Sequence, residues 1–559
     1  MREKPKAPET LISAEAQAFA EAARRGVLVL RECLDCGDVH HYPRAHCPLC
    51  ASRNLGWREA SGQGRVYSFT RMAGRRAVAP AMIDLDEGLR LNSVVLDADV
   101  HQLAIDDAVT VRFQPDPQGQ LRLAFTTPGA EAARAYSARA FAAVDADREG
   151  FAAGSAPAEV TTVAVVGAGN MGIGIATAFL KAGFAVLLLD QNADAFDRAR
   201  ARIAETFDRD VQRGRLGADA AAARMAALET ATDMTRLADA DLVVEAVWED
   251  MALKQQVFAD LDRHARPGVC LCTNTSTLDI DAIAAATGRP DRVVGLHFFN
   301  PAHVMKLLEV VRGKATSDQT LALATQVGMR LGKVPVVVGN AHGFVGNRLM
   351  IAREQEAGRM LLEGALPAQI DAVLTRFGMP MGTFEMQDMA GGIELSYRAR
   401  QARGEKSPVI DRLFAAGRLG QKTGKGYYRY EPGKQRPLND PEATAIIEAA
   451  SAAEGITRRA ISDAEIEDRL ILPMINEGAK LLAEGIATRA GDIDVVWQTG
   501  FGWPEWKGGP MYHADRLGVA EVHRRLTALA EAHGARFTPA PLLAEKAAQG
   551  ATFTDSESA

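Results

Sequence analysis

Four cysteines stand as two close pairs, Cys33-x2-Cys36 and Cys47-x2-Cys50, within 18 residues of a 559-residue chain that holds only six. Each pair can aim two thiolates at one ion, and four such ligands complete the closed tetrahedral shell that suits structural zinc. A full cysteine shell leaves no open coordination position, so the work expected there is folding and not catalysis. The neighbouring His40, His41 and His46 read as solvated loop residues. A second pattern, Gly167-Ala-Gly-Asn-Met-Gly172, follows the apolar run Val163-Ala-Val-Val166 and opens a helical pattern. In that setting Gly167 permits a tight turn, Gly169 lets the backbone approach a pyrophosphate, and Gly172 lets helix and strand pack closely. Asn170 and Met171 belong to the same cradle, where helix N-terminal amides face the anion. Asp190 closes the next apolar run, 18 residues after Gly172. Its carboxylate can accept from both ribose hydroxyls and would repel a 2′-phosphate, and no arginine follows in Asp190-Gln-Asn-Ala193. NAD is therefore expected over NADP.

The elements that must carry these residues are many. At 559 residues several domains are expected, and 47% hydrophobic, 24% charged and 6% aromatic residues suffice for several cores and exclude wholesale disorder. With 64 Lys+Arg against 71 Asp+Glu the net charge is −7, which lacks the basic footprint of a nucleic-acid binder and points to small-molecule or protein partners. The first 30 residues carry charges throughout, and no stretch approaches about 18 uninterrupted apolar residues, so neither export nor membrane insertion is expected. Cysteines grouped for a metal fit a reducing compartment, with the cytoplasm as the default.

Along the chain, Ile12, Ala16, Phe19 and Ala23 give one apolar face to a helix over Leu11 to Arg25, within an N-terminal segment 1–30. The cysteine ribbon takes 31–53. Short alternating runs over 54–128, such as Arg65-Val-Tyr-Ser-Phe-Thr70 and Val109-Thr-Val-Arg-Phe113, predict a small β-barrel. Residues 129–159 are alanine-rich and include Gly154-Ser-Ala-Pro157, which reads as a partly helical, exposed linker with a boundary near Ala158. Over 160–341 apolar runs alternate with helical patterns, which implies a parallel doubly wound sheet. Beyond Ala341 helices dominate and repeat. Asn347-Arg-Leu, Glu363-Gly364, Ile370-Asp371 and Phe377-Gly-Met-Pro380 recur as Asp468-Arg-Leu, Glu484-Gly485, Ile493-Asp494 and Phe501-Gly-Trp-Pro504, offset by 121 to 124 residues. Two all-α modules in tandem follow, over 342–450 and 451–559.

Further motifs carry a resemblance. Asn274-Thr-Ser276, His297-Phe-Phe-Asn-Pro301, Glu309 and Gly343-Phe-Val-Gly-Asn347, taken with the glycine fingerprint, resemble the 3-hydroxyacyl-CoA dehydrogenase family from about Val160 to about His533. The doubled helical region is more like the dehydrogenase half of multifunctional β-oxidation enzymes than like single-module dehydrogenases. The N-terminal helix, ribbon and barrel resemble acyl-CoA-associated OB-fold proteins with a rubredoxin-like zinc ribbon, over about residues 8 to 128. Such modules accompany thiolases, hydratases or aldolases. A ribbon and OB-fold can also bind single strands, for which Arg71, Arg75 and Arg76 are thin support. The implied fold is a zinc ribbon and OB-fold barrel, a Rossmann sheet, and two tandem helical modules.

The resemblance implies roles. Oxidising a secondary alcohol needs a base for the hydroxyl proton, and an imidazole suits that task near neutrality. His297 fits the base, and the family places on Glu309 the carboxylate that fixes its tautomer. Ser276 matches a serine that hydrogen-bonds the substrate oxygen, and Asn300 and Asn347 match asparagines that keep the dyad and thioester in register. Glu249 and Lys254 match positions on the nicotinamide ribose side, or else form a solvated helix face. Lys422, in Gly420-Gln-Lys-Thr-Gly424, matches a cofactor-proximal lysine. Thr206 and Arg213 fall where the family contacts CoA, although the serine and lysine expected there are substituted, and Arg213 reads equally as a surface charge. Cys270 and Cys272 read as small buried hydrophobes. The resemblance thus implies NAD-dependent oxidation of a 3-hydroxyacyl-CoA, with a thiolase-like or hydratase-like protein as a candidate partner of the N-terminal module. Two alternatives stay open: a non-CoA 3-hydroxy acid or sugar acid as substrate, or a non-enzymatic scaffold that recruits such a partner.

Overall fold

The computed structural model describes residues 14–71, 78–97, 102–116, 119–153, 159–402, 404–431, 433–434 and 436–554. Leu11, Ile12, Arg75, Arg76, the Gly154-Ser-Ala-Pro157 stretch and the boundary at Ala158 lie outside the described residues. The chain divides into two compact units, Met1–Ala135 with Arg376–Gly378, and Tyr136–Thr375 with Met379–Ala559. Among the described residues no helix is long and apolar enough to cross a membrane.

In the first unit a helix, Ala14–Arg24, precedes β1 (Val29–Cys33), β2 (Val39–His40) and β3 (Leu55–Glu59), an antiparallel ribbon in the order β2-β1-β3. His40, expected in a solvated loop, lies in β2 and is 7% exposed, because its strand position turns it inward, with Nδ1 3.3 Å from Asp38. Next, β4 (Gln63–Phe69), β5 (Val78–Leu85), β6 (Arg90–Leu96), β7 (Ala108–Pro115) and β8 (Leu121–Thr126) close into a barrel ordered β4-β5-β6-β8-β7. The period-two pattern of a strand buries Ala79, Ala81, Ile83 and Leu85 of β5 while their neighbours face outward. Val66, Leu91, Val95, Val109 and Phe125 complete the barrel interior, joined by Leu28 and Leu30 from the ribbon side.

The second unit takes in the helix Pro128–Ala153 from Tyr136 onward. An exposed, partly helical linker was expected here; the segment is one helix of 26 residues with Tyr136, Ala140 and Val144 buried along one stripe. Alanine is the strongest helix former, and an apolar residue every fourth position supplies a face to dock. That face meets the second helical module. Tyr136 stacks on Tyr512 at 4.4 Å and donates its hydroxyl to Asp494 at 2.8 Å, Gln498 donates to the Ser137 hydroxyl, and Arg489 pairs with Asp147.

Eight strands form the sheet: β9 (Thr162–Val166), β10 (Ala185–Leu189), β11 (Leu228–Ala231), β12 (Leu242–Glu245), β13 (Cys270–Thr273), β14 (Val293–Phe298), β15 (Leu307–Arg312) and β16 (Val334–Gly339). Their order is β11-β10-β9-β12-β13-β14-β15-β16, and all neighbours are parallel except β14 and β15. The all-parallel expectation therefore fails at one step. Only residues 299–306 join β14 to β15, and a parallel crossover needs about a dozen residues or more, so the chain returns antiparallel.

The helical repeat is also structural. Helices Gly346–Glu363 and Pro367–Phe377 recur as Asp463–Ala483 and Ala490–Gly500. Asp371 accepts from the Phe384 and Glu385 amides at 3.0 and 2.9 Å, and its counterpart Asp494 accepts from Met511 and Tyr512 at 2.7 and 3.0 Å. Each aspartate also takes a tyrosine hydroxyl, Asp371 from Tyr428 of its own module and Asp494 from Tyr136 of the helix Pro128–Ala153.

Candidate active site

The glycine fingerprint bridges β9 and the helix Asn170–Lys181, with Gly169 as its N-cap. Gly167 sits at φ +109°, where a Cβ would come 2.7 Å from the Ala246 carbonyl, and a Cβ on Gly172 would overlap the Gly167 carbonyl. At Gly169 a Cβ would meet nothing within 4 Å, so this edge of the loop faces open space in front of the helix amides. Two glycines are thus demanded by packing and the third leaves room for an anion, an arrangement that fits a dinucleotide diphosphate. Asp190, just past β10, accepts from the Ala168 amide at 2.7 Å and from the Asn192 amide at 2.9 Å. Its carboxylate is thereby fixed beside the loop. Asn170 accepts from Arg202 at 2.5 Å, and Met171 is partly buried on the same helix.

His297 in β14 and Glu309 in β15 are direct partners in the antiparallel register. Residues opposite one another on such a pair share a face with Cβ atoms about 4.5–5.5 Å apart, and here Nδ1 lies 2.7 Å from Glu309 Oε2. Both are buried, Glu309 completely. Its other oxygen, Oε1, accepts from the Val345 and Gly346 amides at 3.2 and 2.9 Å, at the start of the helix Gly346–Glu363. A buried carboxylate is sustained where backbone donors and a helix N-terminus compensate lost water. Phe299 and Phe344 flank the imidazole at 4.3 and 5.7 Å between ring centres.

Asn274 ties this strand to the end of β13, its Oδ1 accepting from the Phe298 amide at 2.9 Å. Two residues on, Ser276 donates its amide and hydroxyl to Glu249 Oε1 at 2.8 and 3.1 Å, and Asn347 Nδ2 reaches the Ser276 carbonyl at 3.5 Å. Ser276, Glu249, Asn347 and the dyad are so brought to one rim, at the C-terminal ends of β12, β13 and β14 and the N-terminal part of the antiparallel β15. Burial pushes the Glu249 carboxyl up, but the Lys254 ammonium and hydrogen bonds from Thr275 and Ser276 outweigh it and hold the group below its ordinary range.

Lys254 is 1% exposed, so it is no solvated helix face. Its Nζ lies 2.6 Å from Oε1 of Glu245, which is fully buried, and 3.6 Å from Glu249 Oε2. Glu245 also accepts from the Val247 amide and the Thr273 hydroxyl, each at 2.7 Å. Lys254→Met would strand Glu245 as an unpaired buried charge, and stability should fall by about 3–5 kcal/mol. Denaturant unfolding of the two proteins measures this; a loss under 1 kcal/mol would show that Glu245 does not depend on the lysine.

Sequence reasoning did not single out Glu245, although an acidic residue that ends the apolar run Leu242-Val-Val and precedes Lys254 by nine residues was visible. Asn274 likewise has no role legible in the sequence beyond its place in Asn274-Thr-Ser276. Other expected site residues stand apart from the rim's contacts. Asn300 is exposed in the loop after β14. Thr206 is buried in the helix Asp194–Gln212 with its hydroxyl on the Arg202 carbonyl, and Arg213 is the exposed C-cap of that helix. Lys422 pairs with Glu394. Cys270 and Cys272 are fully buried, as small hydrophobes would be.

The cysteine pairs converge in the first unit. All four Sγ atoms lie within 4.8 Å of one another, with Cys33–Cys50 and Cys36–Cys47 each 3.6 Å apart. A tetrahedron with zinc–sulfur bonds of about 2.3 Å has edges of about 3.8 Å, so the set fits one zinc ion. Two matching turns build it. The Gly37 amide donates to the Cys33 carbonyl and the Ala51 amide to the Cys47 carbonyl, with both donors at positive φ.

Comparison with known proteins agrees with this geometry. A family model described as "3-hydroxyacyl-CoA dehydrogenase, NAD binding domain" matches residues 162–341, and one described as "3-hydroxyacyl-CoA dehydrogenase, C-terminal domain" matches twice, over 343–430 and 466–557. The first unit matches "ChsH2, rubredoxin-like zinc ribbon domain" over 20–56 and "ChsH2, C-terminal OB-fold domain" over 57–114. The peroxisomal bifunctional enzyme of Danio rerio is 39% identical over 417 residues, 71% of this chain and 57% of that protein. The peroxisomal fatty acid beta-oxidation multifunctional protein of Oryza sativa subsp. japonica is 37% identical over 70% of this chain and 55% of that one. The chain thus spans little more than half the length of these curated relatives. Among solved structures, 3-hydroxybutyryl-CoA dehydrogenase from Escherichia coli K12 matches with TM-score 0.60 and 30% identity, over 70% of this chain and 99% of that one. The dehydrogenase part of multifunctional enzyme 1 from C. elegans matches with TM-score 0.52 and 32% identity, over 70% of this chain and 90% of that one. Agreement from the glycine cradle through both helical modules leaves one conclusion, that the chain belongs to the 3-hydroxyacyl-CoA dehydrogenase family and bears a zinc ribbon and OB-fold at its N-terminal side.

Proposed function

We propose that the protein oxidises (S)-3-hydroxyacyl-CoA to 3-oxoacyl-CoA in β-oxidation-type degradation, with NAD as acceptor and His297 as the base. The observation that carries this reading is the buried His297–Glu309 pair at 2.7 Å. With Nδ1–H donated to Glu309, the lone pair of the neutral ring is at Nε2, free to take the hydroxyl proton. Positive charge then grows on the imidazole beside a carboxylate that two amides keep in place, in surroundings from which water is excluded. NAD, when bound, supplies the hydride acceptor; the cradle from Gly167 to Gly172 and Asp190 would hold it, with Glu249 and Lys422 on the nicotinamide side. Lys254, whose Nζ lies 3.6 Å from Glu249 Oε2, belongs to that same nicotinamide side. Ser276, Asn300 and Asn347 are assigned to the substrate oxygen and thioester, and Thr206 and Arg213 extend the reading to CoA. Two supports join the dyad: the family match and the shared rim of Ser276, Glu249 and Asn347.

The test is NADH formation with a panel of 3-hydroxyacyl-CoA thioesters and the matching free acids. Higher kcat/KM for the thioesters is expected; equal or better turnover of a free acid would replace the substrate class. In the same assay NAD should surpass NADP, since Asp190 repels a 2′-phosphate. A preference for NADP would overturn that role for Asp190.

To the first unit we assign assembly or acyl-CoA handling, since a saturated zinc shell has no position for catalysis. A thiolase-like or hydratase-like protein is the expected partner. Free thiols arranged for zinc suit a reducing compartment such as the cytoplasm.

A further inference from the structure

The dyad is backed by a residue of the second helical module. Phe501 follows the helix Ala490–Gly500, and its ring lies 5.4 Å from that of Phe299, edge to face at 78°. Phe299 in turn lies 4.3 Å from the His297 ring. Phe501 also covers Gly346: a Cβ there would overlap the ring, 2.8 Å from its Cζ. The Gly346 amide is the 2.9 Å donor to Glu309. One aromatic ring therefore stands one residue away from each half of the dyad.

Phe501 is itself held. It stacks on Trp497 at 4.4 Å and 19°, and Trp497 is fully buried with the Arg353 guanidinium 5.2 Å from its ring centre. The same module meets the sheet on either side. A Cβ on Gly500 would overlap Leu307, the first residue of β15, and the Gly339 amide at the end of β16 donates to the Ile486 carbonyl at 2.7 Å. A backbone donor aids a carboxylate only while its peptide keeps its orientation, and Gly346 has no side chain to keep it. The Phe501 ring does so from outside.

We propose that Phe501 is a positioning residue for the dyad, so that the second helical module acts on the chemistry and does more than cover the first. The proposal rests on the reading of His297 as the base. In the full-length protein, Phe501→Leu should lower kcat on the preferred thioester about 10- to 100-fold, the scale expected of a small misplacement, with KM for NAD unchanged. Gly346→Ala attacks the same contact from the other side and should also lower kcat. In the double variant the added methyl enters space the ring has left, so its kcat should exceed that of Gly346→Ala alone. A substrate-free readout accompanies these: the downfield proton resonance of His297 Nδ1–H, assigned by its loss in His297→Gln, should shift or broaden in Phe501→Leu. If Phe501→Leu lowers only the melting temperature, with kcat within twofold and the resonance in place, the ring is mere packing and the proposal falls. A wild-type protein inactive on every thioester, whose resonance still responds to Phe501→Leu, would refute the proposed reaction and leave the positioning role standing.

Discussion

His297→Gln should lower kcat by about 10²- to 10⁴-fold, the range for loss of a general base, while NAD binds as before. Glutamine occupies similar space and keeps an amide N–H near Glu309, so the buried carboxylate is not stranded; its Oε1 retains the Val345 and Gly346 amides in any case. What disappears is the nitrogen lone pair proposed to accept the proton. The cradle belongs to the loop after β9 and to the end of β10, whereas the dyad lies on β14 and β15, so no dinucleotide contact is removed. Equal falls in kcat and kcat/KM would mark an interaction made only in the transition state. Steady-state rates with a thioester substrate, paired with a fluorescence titration of NADH binding, check both halves. Activity within a few-fold of the parent would remove His297 from its role, and a matched loss of NADH affinity would show that the ring serves binding.

Local chemistry was legible in the sequence, and chemistry made by tertiary contact was not. The cysteine pairs declare themselves because each knuckle is a single tight turn, and the fingerprint because its glycines, strand and helix are contiguous. The repeat was equally readable, down to Ile370-Asp371 and Ile493-Asp494, whose aspartates bind amides in the same way. The pairing of His297 with Glu309 is another matter. Their 12-residue separation becomes a contact only through the antiparallel step between β14 and β15, which an alternating β and α pattern does not announce. Resemblance supplied the pair; periodicity would have made that sheet parallel. For Lys254 the resemblance implies a place on the nicotinamide ribose side, with a solvated helix face as the alternative; its burial excludes that alternative, and the buried Glu245 from a neighbouring strand, which makes the burial tolerable, is not legible in the sequence. The alanine-rich segment before the sheet reads as an exposed, partly helical linker because its stripe of Tyr136, Ala140 and Val144 has no meaning until the second helical module is there to receive it.

Cys47→Ser should abolish zinc binding and unfold the ribbon while the dehydrogenase reaction continues. The ribbon is three strands, one of only two residues, with Leu28 and Leu30 as its chief links to a buried cluster. Against so small a core, the binding free energy of structural zinc in comparable small domains, about 10–16 kcal/mol, dominates folding. Removing one ligand leaves three sulfurs, within 4.8 Å of one another, that no longer close a four-thiolate shell around the ion. Serine is a poor substitute, because its hydroxyl stays protonated near neutral pH where a thiol can ionise. Cys47 is buried and accepts from the Leu49 and Cys50 amides, so its loss also releases the second turn. Metal analysis should pass from one zinc per chain to none, and ribbon amides should lose protection in hydrogen exchange. The sheet has its own buried core, and among the described residues the contacts of His297, Glu309 and Asp190 named above involve none of the four zinc cysteines. kcat should therefore stay within about twofold, in keeping with additivity between sites that share no partner. One full equivalent of zinc in the variant would remove Cys47 from the ligand set. A fall of kcat in step with zinc would mean that the ribbon contributes to catalysis, and the assignment of that unit to assembly would have to be abandoned.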